Sequence, residues 1–361
     1  MIVKQVINQY FVCLPETPLQ PIPLTLAQTD RHLPCNCIYF SKVFEAMEQK
    51  LEVKGLIIYL TWDVDKLPSY GDNVVAVVLG DEFSRVPLYV HQVRAIFKTL
   101  SMRPIIGSNP LLKPSYLNLM SLLQFLRIWV IRAPSLINAW LQQLKGKKVA
   151  SIYDIPLGYY NQVNLPIKPI LERRYDLFFA GSLVADDYPI WSRRRWLRNP
   201  KDVARSQMLS AVEKLQAKYP KLNIAIGMTN DFGLEAEFFQ DTRSYSEKLM
   251  DAKICLAPRG SLFETFRFFE GLRYGCIVIT EALPHRWFYQ DSSAIQLSKW
   301  SELEQKIFQL IHNPELTKLE HEESLQGWQS KCAEVVIGDY MAEQINKSNS
   351  TFEQKNEILT G

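Results

Sequence analysis

The chain has 361 residues, of which 47% are hydrophobic and 22% are charged, so it is an ordinary globular sequence long enough for two domains. Its formal net charge of +3 is too small for a protein that recognises nucleic acid through a basic surface, and nucleic acid is therefore not an expected partner. The six cysteines lack the paired spacing of zinc sites, which favours buried free thiols and a reducing, cytoplasmic location.

The first half of the chain alternates short apolar runs with longer helical patterns. Continuous β-branched runs at 55–61 and 73–79 predict buried strands, because a strand covered on both faces needs no polar alternation. The remaining predicted elements are a helix at 88–100, a short strand at 103–106, a mostly helical stretch at 115–144 and a strand at 148–153. The longest apolar run, 117–131, contains Asn118, Gln124 and Arg127, so it predicts an amphipathic or buried helix of a soluble chain rather than a membrane span.

The second half repeats the same rhythm of strands and helices. Its predicted strands lie at 176–180, 222–226, 253–257 and 276–280. Its predicted helices lie at 203–219 and 264–274. Two successive α/β units predict two Rossmann-like domains facing a cleft, at 1–155 and 165–320. The last helical stretch, 321–345, is expected to cross back onto the first domain.

Residues 253–280 carry the features of a phosphate-binding site. Pro258-Arg259-Gly260 follow a predicted strand at its carboxyl end, where open α/β sheets bind ligands, and Gly260 permits close approach of backbone. Arg259 and Arg267 can donate bidentate hydrogen bonds to a diphosphate. Glu270 follows Arg267 by three residues on the same helix face and can accept hydrogen bonds from a ribose. On the pattern alone, a surface ion pair between Arg267 and Glu270 is the favoured interpretation.

The same segment resembles the donor-binding signature of exostosin-type glycosyltransferases, glycosyltransferase family 47. Residues 255–260 read Cys-Leu-Ala-Pro-Arg-Gly, and they are followed by Thr-Phe-Arg at 265–267, Phe-Glu-Gly-Leu at 269–272 and Gly-Cys-Ile at 275–277. The chain departs from the pattern at Val278, where the family commonly has proline. The resemblance covers roughly residues 175–340 and implies two Rossmann-like domains of the GT-B type, a UDP-sugar donor, inversion and no metal or other cofactor.

The resemblance also implies roles for individual residues. Arg259 and Arg267 would neutralise the diphosphate leaving group, and Glu270 would hold the ribose. Gly181 and Ser182 follow the first strand of this half and are candidates for backbone contacts to phosphate, as is Arg205 through its side chain. Residues 193–195 and Arg198 form a basic cluster that is either a solvated loop or a surface for an anionic acceptor or a membrane. The expected acceptor is a hydroxyl of a glycan or a lipid-linked glycan, with peripheral membrane contact.

An inverting transfer needs a base that takes the proton of the acceptor hydroxyl. Asp81 and Glu82 follow the strand at 73–79, so either carboxylate is a candidate from the first domain. His91 and His285 are the histidine candidates.

Two alternatives remain open from the sequence. Asp63-Val64-Asp65 is an Asp-x-Asp triplet, which in other glycosyltransferases binds a metal and the diphosphate. A protein that binds a sugar nucleotide without turnover is the second alternative. A requirement for a divalent metal would favour the first, and donor binding without transfer or hydrolysis would favour the second.

Overall fold

The computed structural model describes residues 7–26, 36–100, 103–107, 112–160, 163–182, 198–229 and 242–360. The chain divides into two compact units. The first comprises Met1–Pro104, Arg127–Leu157 and Cys332–Gly361, and the second comprises Ile105–Leu126 and Gly158–Lys331. Each unit is built on a largely parallel sheet with helices, which confirms the predicted α/β class with two Rossmann-like units.

The sheet of the first unit has six strands in the order β2-β1-β3-β4-β5-β6. The strands are β1 (Gln9–Cys13), β2 (Ile22–Pro23), β3 (Ile57–Thr61), β4 (Gly71–Val78), β5 (Val93–Lys98) and β6 (Ser151–Asp154). Only β2 runs antiparallel to its neighbour, and the other five strands lie side by side in chain order. Helix α1 (Asn36–Lys50) connects β1 to β3 by way of β2, and helix α2 (Tyr116–Leu144) connects β5 to β6.

Two predicted elements of this unit are wrong. Residues 88–100 form a turn and then strand β5 instead of a helix. Strand β5 lies between β4 and β6, and all its residues except Arg94 are buried. Its apolar residues therefore do not alternate regularly with polar ones, and periodicity cannot distinguish such a segment from a buried helix. Residues 103–106 form no strand.

The C-terminal helix α8 (Glu334–Thr360) belongs to the first unit and packs against α1. The approach is close, since a Cβ on Gly338 would stand 2.6 Å from the carbonyl oxygen of Val43. The Tyr39 hydroxyl donates to the carbonyl of Cys332 at 2.7 Å, just before α8 begins.

The sheet of the second unit has five parallel strands in the order β11-β10-β9-β7-β8. The strands are β7 (Tyr175–Ser182), β8 (Ile224–Thr229), β9 (Ala252–Leu256), β10 (Ile277–Thr280) and β11 (Ile295–Gln296). The helices are α3 (Pro200–Lys218), α4 (Thr242–Met250), α5 (Phe266–Arg273), α6 (Leu303–Ile311) and α7 (Pro314–Gly327). From β7 the chain passes to β8 on one side and then returns to β9 on the other, so the order of strands reverses between β7 and β9. Open α/β sheets bind ligands at the carboxyl ends of the strands beside such a switch point.

Candidate anion-binding site at the switch point

The two segments that the sequence singled out leave the sheet at this switch point. Gly181 and Ser182 are the last residues of β7, and Pro258-Arg259-Gly260 follow the end of β9. Since β7 and β9 are paired in parallel, their carboxyl ends lie at the same edge of the sheet. Helix α5 begins a few residues later, with Thr265 as its N-cap, whose hydroxyl accepts a hydrogen bond from the backbone N–H of Phe268 at 3.3 Å.

Two arginine side chains converge over Gly181. The guanidinium of Arg267 lies over the ring of Phe179, 4.6 Å from its centroid. A Cβ on Gly181 would stand 2.6 Å from Nη2 of Arg267 and 3.4 Å from Nη1 of Arg205. Glycine at this position therefore lets both cationic groups rest against the backbone of β7.

The electrostatics of this pair are unfavourable without an anion. The pKa of Arg205 is lowered to about 9, first by burial and second by the positive charge of Arg267. Within the described residues neither arginine forms an ion pair with a carboxylate, and the Nε atoms of both and Nη1 of Arg267 are buried without a hydrogen-bond partner. Buried guanidinium nitrogens without an acceptor cost free energy, so this arrangement suits a ligand with negative charge.

Ser182 anchors the same cluster. Arg205 donates from Nη1 to the carbonyl and the hydroxyl of Ser182, the second at 3.2 Å, and Lys201 donates from Nζ to that hydroxyl at 3.1 Å. Three cationic side chains thus surround the carboxyl end of β7. We call Lys201, Arg205 and Arg267 the cationic cluster.

Glu270 is buried and already holds two donors of the protein. Its Oε1 accepts from the backbone N–H of Tyr160 at 3.0 Å, and its Oε2 accepts from the hydroxyl of Tyr245 at 2.6 Å. Burial raises the pKa of Tyr245 well above its ordinary value, so the phenol stays protonated and donates. The predicted contact of Glu270 to a ribose stays a prediction.

Arg259 is fully buried in a network of its own. It donates from Nη1 to Ser121 at 2.9 Å and from Nη2 to Gln124 at 2.6 Å, which ties the loop after β9 to the first turns of α2. Its guanidinium also lies 4.0 Å from the centroid of the Phe263 ring, and burial lowers its pKa to about 10. These contacts give Arg259 a structural task, and its predicted role at the diphosphate stays a prediction.

The backbone beside Arg259 is also fixed. The N–H of Arg259 donates to Oε2 of Glu281 at 2.8 Å, and the indole of Trp300 donates to Oε1 of the same Glu281 at 2.7 Å. A Cβ on Gly260 would stand 3.3 Å from the carbonyl oxygen of Glu264, which leaves little room for a side chain there. The turn after β9 is therefore held rigidly against β10.

The two carboxylates proposed as bases lie in different environments of the first unit. Asp81 is buried and forms an ion pair with Nζ of Lys98 at 2.7 Å, in which neither side chain is exposed. It also accepts from Nε of Arg85 at 3.2 Å. Glu82, its neighbour, is exposed. Asp81 therefore has the environment of a structural carboxylate, and Glu82 is the more accessible of the two candidates. A catalytic role for either residue stays a prediction.

The Asp-x-Asp triplet forms a tight turn. Oδ1 of Asp63 accepts from the backbone N–H groups of Asp65 at 2.6 Å and Lys66 at 3.0 Å, the arrangement of an Asx turn. The carboxylate of Asp65 lies 3.5 Å from Nη1 of Arg85. Of the histidine candidates, His91 is half-buried with a pKa lowered by burial, and His285 is exposed.

Sequence reasoning missed Lys201, Phe179 and Tyr160 as parts of the site. Lys201 follows the Asn199-Pro200 start of α3, where the Asn199 side chain accepts from its N–H at 3.0 Å. The i,i+4 spacing of Lys201 and Arg205 after this helix start was the available signal. No comparable signal existed for Tyr160, which reaches Glu270 from 110 residues away. Residues 193–195 lie outside the described residues.

Comparison with known proteins yields similar structures but no similar sequence, since no protein-family model and no curated protein matches the chain. The chain is similar to the GtfA/B complex, with 12% identity over 78% of this chain and 58% of that chain, at a TM-score of 0.42. It is similar to the Gap123 glycosylation-associated complex of Streptococcus agalactiae, with 12% identity over 86% of this chain and 57% of that chain, at a TM-score of 0.41. It is also similar to a DNA-modifying β-glucosyltransferase solved with and without UDP-glucose, with 12% identity over 94% of this chain and 99% of that chain, at a TM-score of 0.41.

The chain spans less than three fifths of the length of the first two of these proteins. Likenesses this distant carry no argument about function.

Proposed function

We propose that this protein is a glycosyltransferase that takes a sugar from a nucleoside-diphosphate sugar, and that the diphosphate binds to the cationic cluster. The observation that carries the proposal is the convergence of Arg205 and Arg267 over Gly181 without a carboxylate partner among the described residues. A diphosphate supplies the missing negative charge and accepts the bidentate hydrogen bonds that guanidinium groups donate.

The chemistry follows from where the charge develops. In the transfer, the bond between the anomeric carbon and the diphosphate oxygen breaks, and a bond from the acceptor hydroxyl oxygen to that carbon forms. The leaving diphosphate gains negative charge, which the cationic cluster stabilises. The proton of the acceptor passes to a base, for which we propose Glu82 because it is exposed while Asp81 is held by Lys98.

The finer parts of the proposal rest on the resemblance to exostosin-type enzymes. They are a UDP-linked donor, GT-B organisation, inversion at the anomeric carbon, transfer without a metal, and a glycan or lipid-linked acceptor in the cytoplasm with peripheral contact to a membrane. We propose that Glu270 organises the nucleoside side of the site, because it accepts hydrogen bonds from Tyr160 and Tyr245 and its carboxylate is an acceptor for ribose hydroxyls.

The experiment is a calorimetric titration of the full chain with UDP, with and without EDTA, on the wild type and on Arg267→Gln. We expect binding that EDTA does not change and a loss of about 1.5 kcal/mol or more, roughly tenfold in Kd, in the variant. Arg243→Gln is the matched control, because Arg243 is exposed on α4 and pairs with Glu247 at i,i+4. Normal UDP binding by Arg267→Gln contradicts the proposed site.

The two alternatives give distinct results. Binding that requires Mn²⁺ or Mg²⁺ and disappears in Asp63→Asn points to the metal-dependent transferase. Metal-free binding of UDP-sugars without transfer or hydrolysis on a panel of acceptors points to a binding protein without turnover.

A further inference from the structure

Helix α2 exposes an unusual amount of apolar surface. It is 29 residues long, about 43 Å at 1.5 Å per residue, and ten of its large apolar side chains are exposed. Representative members of this surface are Leu123, Leu126, Val130, Ile137, Trp140 and Leu144, of which Ile137 is 56% exposed and Leu144 64%. We call this surface the apolar face of α2. An apolar patch of this size on one helix marks a site of interaction.

The apolar face is distinct from the face that packs on the protein. At 100° per residue the ten exposed side chains fall within an arc of roughly 140°, and the buried residues Ile128, Arg132 and Ser135 lie on the opposite side. Ser135 accepts a hydrogen bond from the backbone N–H of Val86 at 3.0 Å, and Leu136 packs against the core of the first unit. The helix is thus attached along one side and uncovered along the other.

The charged residues of the chain segment that contains α2 are all of one sign. No aspartate or glutamate occurs between Glu82 and Asp154, whereas that interval contains ten lysines and arginines. Lys113 precedes the helix, and Lys145 and Lys147 follow it, all three exposed. The uncovered face is therefore bordered at both ends by cations, and Trp140 and Trp129 supply the amphipathic rings that favour a membrane interface.

We propose that α2 is an interfacial helix that lays its apolar face into the surface of a membrane containing anionic lipids. By length and composition α2 is the one helix among the described residues that is apolar enough to cross a membrane. It lies in the plane of the interface instead, because Arg132, Ser135 and Ile128 are buried against the protein and a spanning helix would have to leave that contact. A second copy of the helix fits this face less well, since pairing would oppose Lys and Arg to Lys and Arg with no acidic residue between them. This proposal does not depend on glycosyl transfer.

The test is co-sedimentation of the full chain with phosphatidylcholine vesicles, with and without phosphatidylglycerol as the anionic lipid, in the absence of any donor. We expect binding at least tenfold stronger to the anionic vesicles, weakened by added salt because exposed charges are screened. The double variant Ile137→Glu, Leu144→Glu is expected to lose this binding. Circular dichroism and thermal unfolding establish that it remains folded, as the exposure of both side chains predicts.

The matched control is Leu319→Glu, Val335→Glu. It makes the same change of charge at side chains that are 51% and 62% exposed on other helices, and we expect it to bind vesicles normally. Equal loss of binding in both double variants would show a general effect of charge and overturn the proposal. Absence of binding to either kind of vesicle, with a dimer in light scattering that only the α2 variant dissociates, would assign the apolar face to a second copy of the chain.

Discussion

Nη2 of Arg267 lies 2.6 Å from the point where a Cβ on Gly181 would stand, so the two residues fit together only because residue 181 has no side chain. This contact brings the guanidinium of Arg267 to the end of β7, beside Arg205. The backbone of Gly181 is extended within the strand, so alanine is acceptable there for the main chain. A methyl group at this position would displace the guanidinium of Arg267, and it would stand 3.3 Å from Cζ of the buried Phe179 ring.

We therefore predict that Gly181→Ala weakens UDP binding about tenfold and leaves the fold intact. The displaced guanidinium loses part of its charged hydrogen bonding to the diphosphate, an effect of about 1.5 kcal/mol. Calorimetric titration measures the affinity and thermal unfolding measures stability. Gly327→Ala is the control, because among the described residues no atom lies within 4 Å of its added methyl group apart from its chain neighbours and the backbone of its own helix, and its affinity should equal that of the wild type. An unchanged affinity in Gly181→Ala would remove Arg267 from the site.

The lowered pKa of Arg205 predicts how binding and stability depend on pH. Diphosphate binding requires a protonated Arg205, so UDP affinity should fall as the pH rises through about 9. The stability of the free protein changes in the opposite direction. Above pH 9 or so, the unfolded chain, in which the arginine has its ordinary pKa, binds more protons than the native state. The contribution of Arg205 to the free energy of unfolding therefore rises with pH. The arginine pair thus reduces stability at neutral pH in the absence of an anion.

Comparing the wild type with Arg267→Gln separates the titration of Arg205 from the ionisation of the nucleotide. Burial is the larger cause of the low pKa of Arg205 and the charge of Arg267 is the second, so removing that charge should raise the pKa. The fall of affinity with pH should then begin at a higher pH, although affinity at neutral pH is lower. The nucleotide ionises identically in both titrations, so a difference in midpoint belongs to the protein. Superimposable pH profiles would contradict the coupling of the two arginines.

Much of the second unit was predictable from sequence because its strands are short apolar runs set between clear helices. The segment from β9 to β10 was found by its motif, and Arg205 by its place after a strand and near a helix start. The same reasoning failed at β5, where burial on both faces removed the alternation that identifies a strand. Local pattern therefore predicted elements well wherever a turn or glycine separated them.

Sequence could not predict which polar groups become partners across the fold. Arg259 was expected at the diphosphate, but its guanidinium donates to Ser121 and Gln124, which are more than 130 residues away. Lys98 lies inside an apolar run, and its partner Asp81 is 17 residues earlier. Tertiary packing decides which hydrogen-bonding and charged groups become partners. The position of a charged residue in a sequence motif therefore does not identify its partner in the fold.

Glu270 should contribute more to stability than Arg267 does. Glu270 accepts hydrogen bonds from the N–H of Tyr160 and the hydroxyl of Tyr245. In Glu270→Gln the amide nitrogen faces one of these two donors and cannot accept from it, so that donor loses its hydrogen bond in the protein interior. We expect a loss of about 1–3 kcal/mol in the free energy of unfolding, measured with urea. Arg267→Gln removes no such partner and relieves the repulsion with Arg205, so it should unfold at or slightly above the wild-type midpoint.

Tyr245→Phe tests the hydrogen bond between Tyr245 and Glu270 from the other side. It should lower the free energy of unfolding by about 1–3 kcal/mol, because a charged acceptor loses its donor. Equal unfolding midpoints for Glu270→Gln and the wild type would show that these contacts do not hold the helix in place.

The pair Asp81 and Glu82 offers a direct separation of structure from catalysis, because two adjacent carboxylates occupy opposite environments. Asp81→Asn leaves the fully buried ammonium of Lys98 without its counter-charge, and breaking such a pair costs about 3–5 kcal/mol. Glu82→Gln changes an exposed side chain and should leave the unfolding midpoint within experimental error of the wild type. If Glu82 is the base, its variant binds UDP normally and loses transfer by at least a hundredfold, measured as release of UDP in the presence of acceptor. Retention of transfer by Glu82→Gln, with normal stability, would move the search for the base to other residues and leave the donor site unaffected.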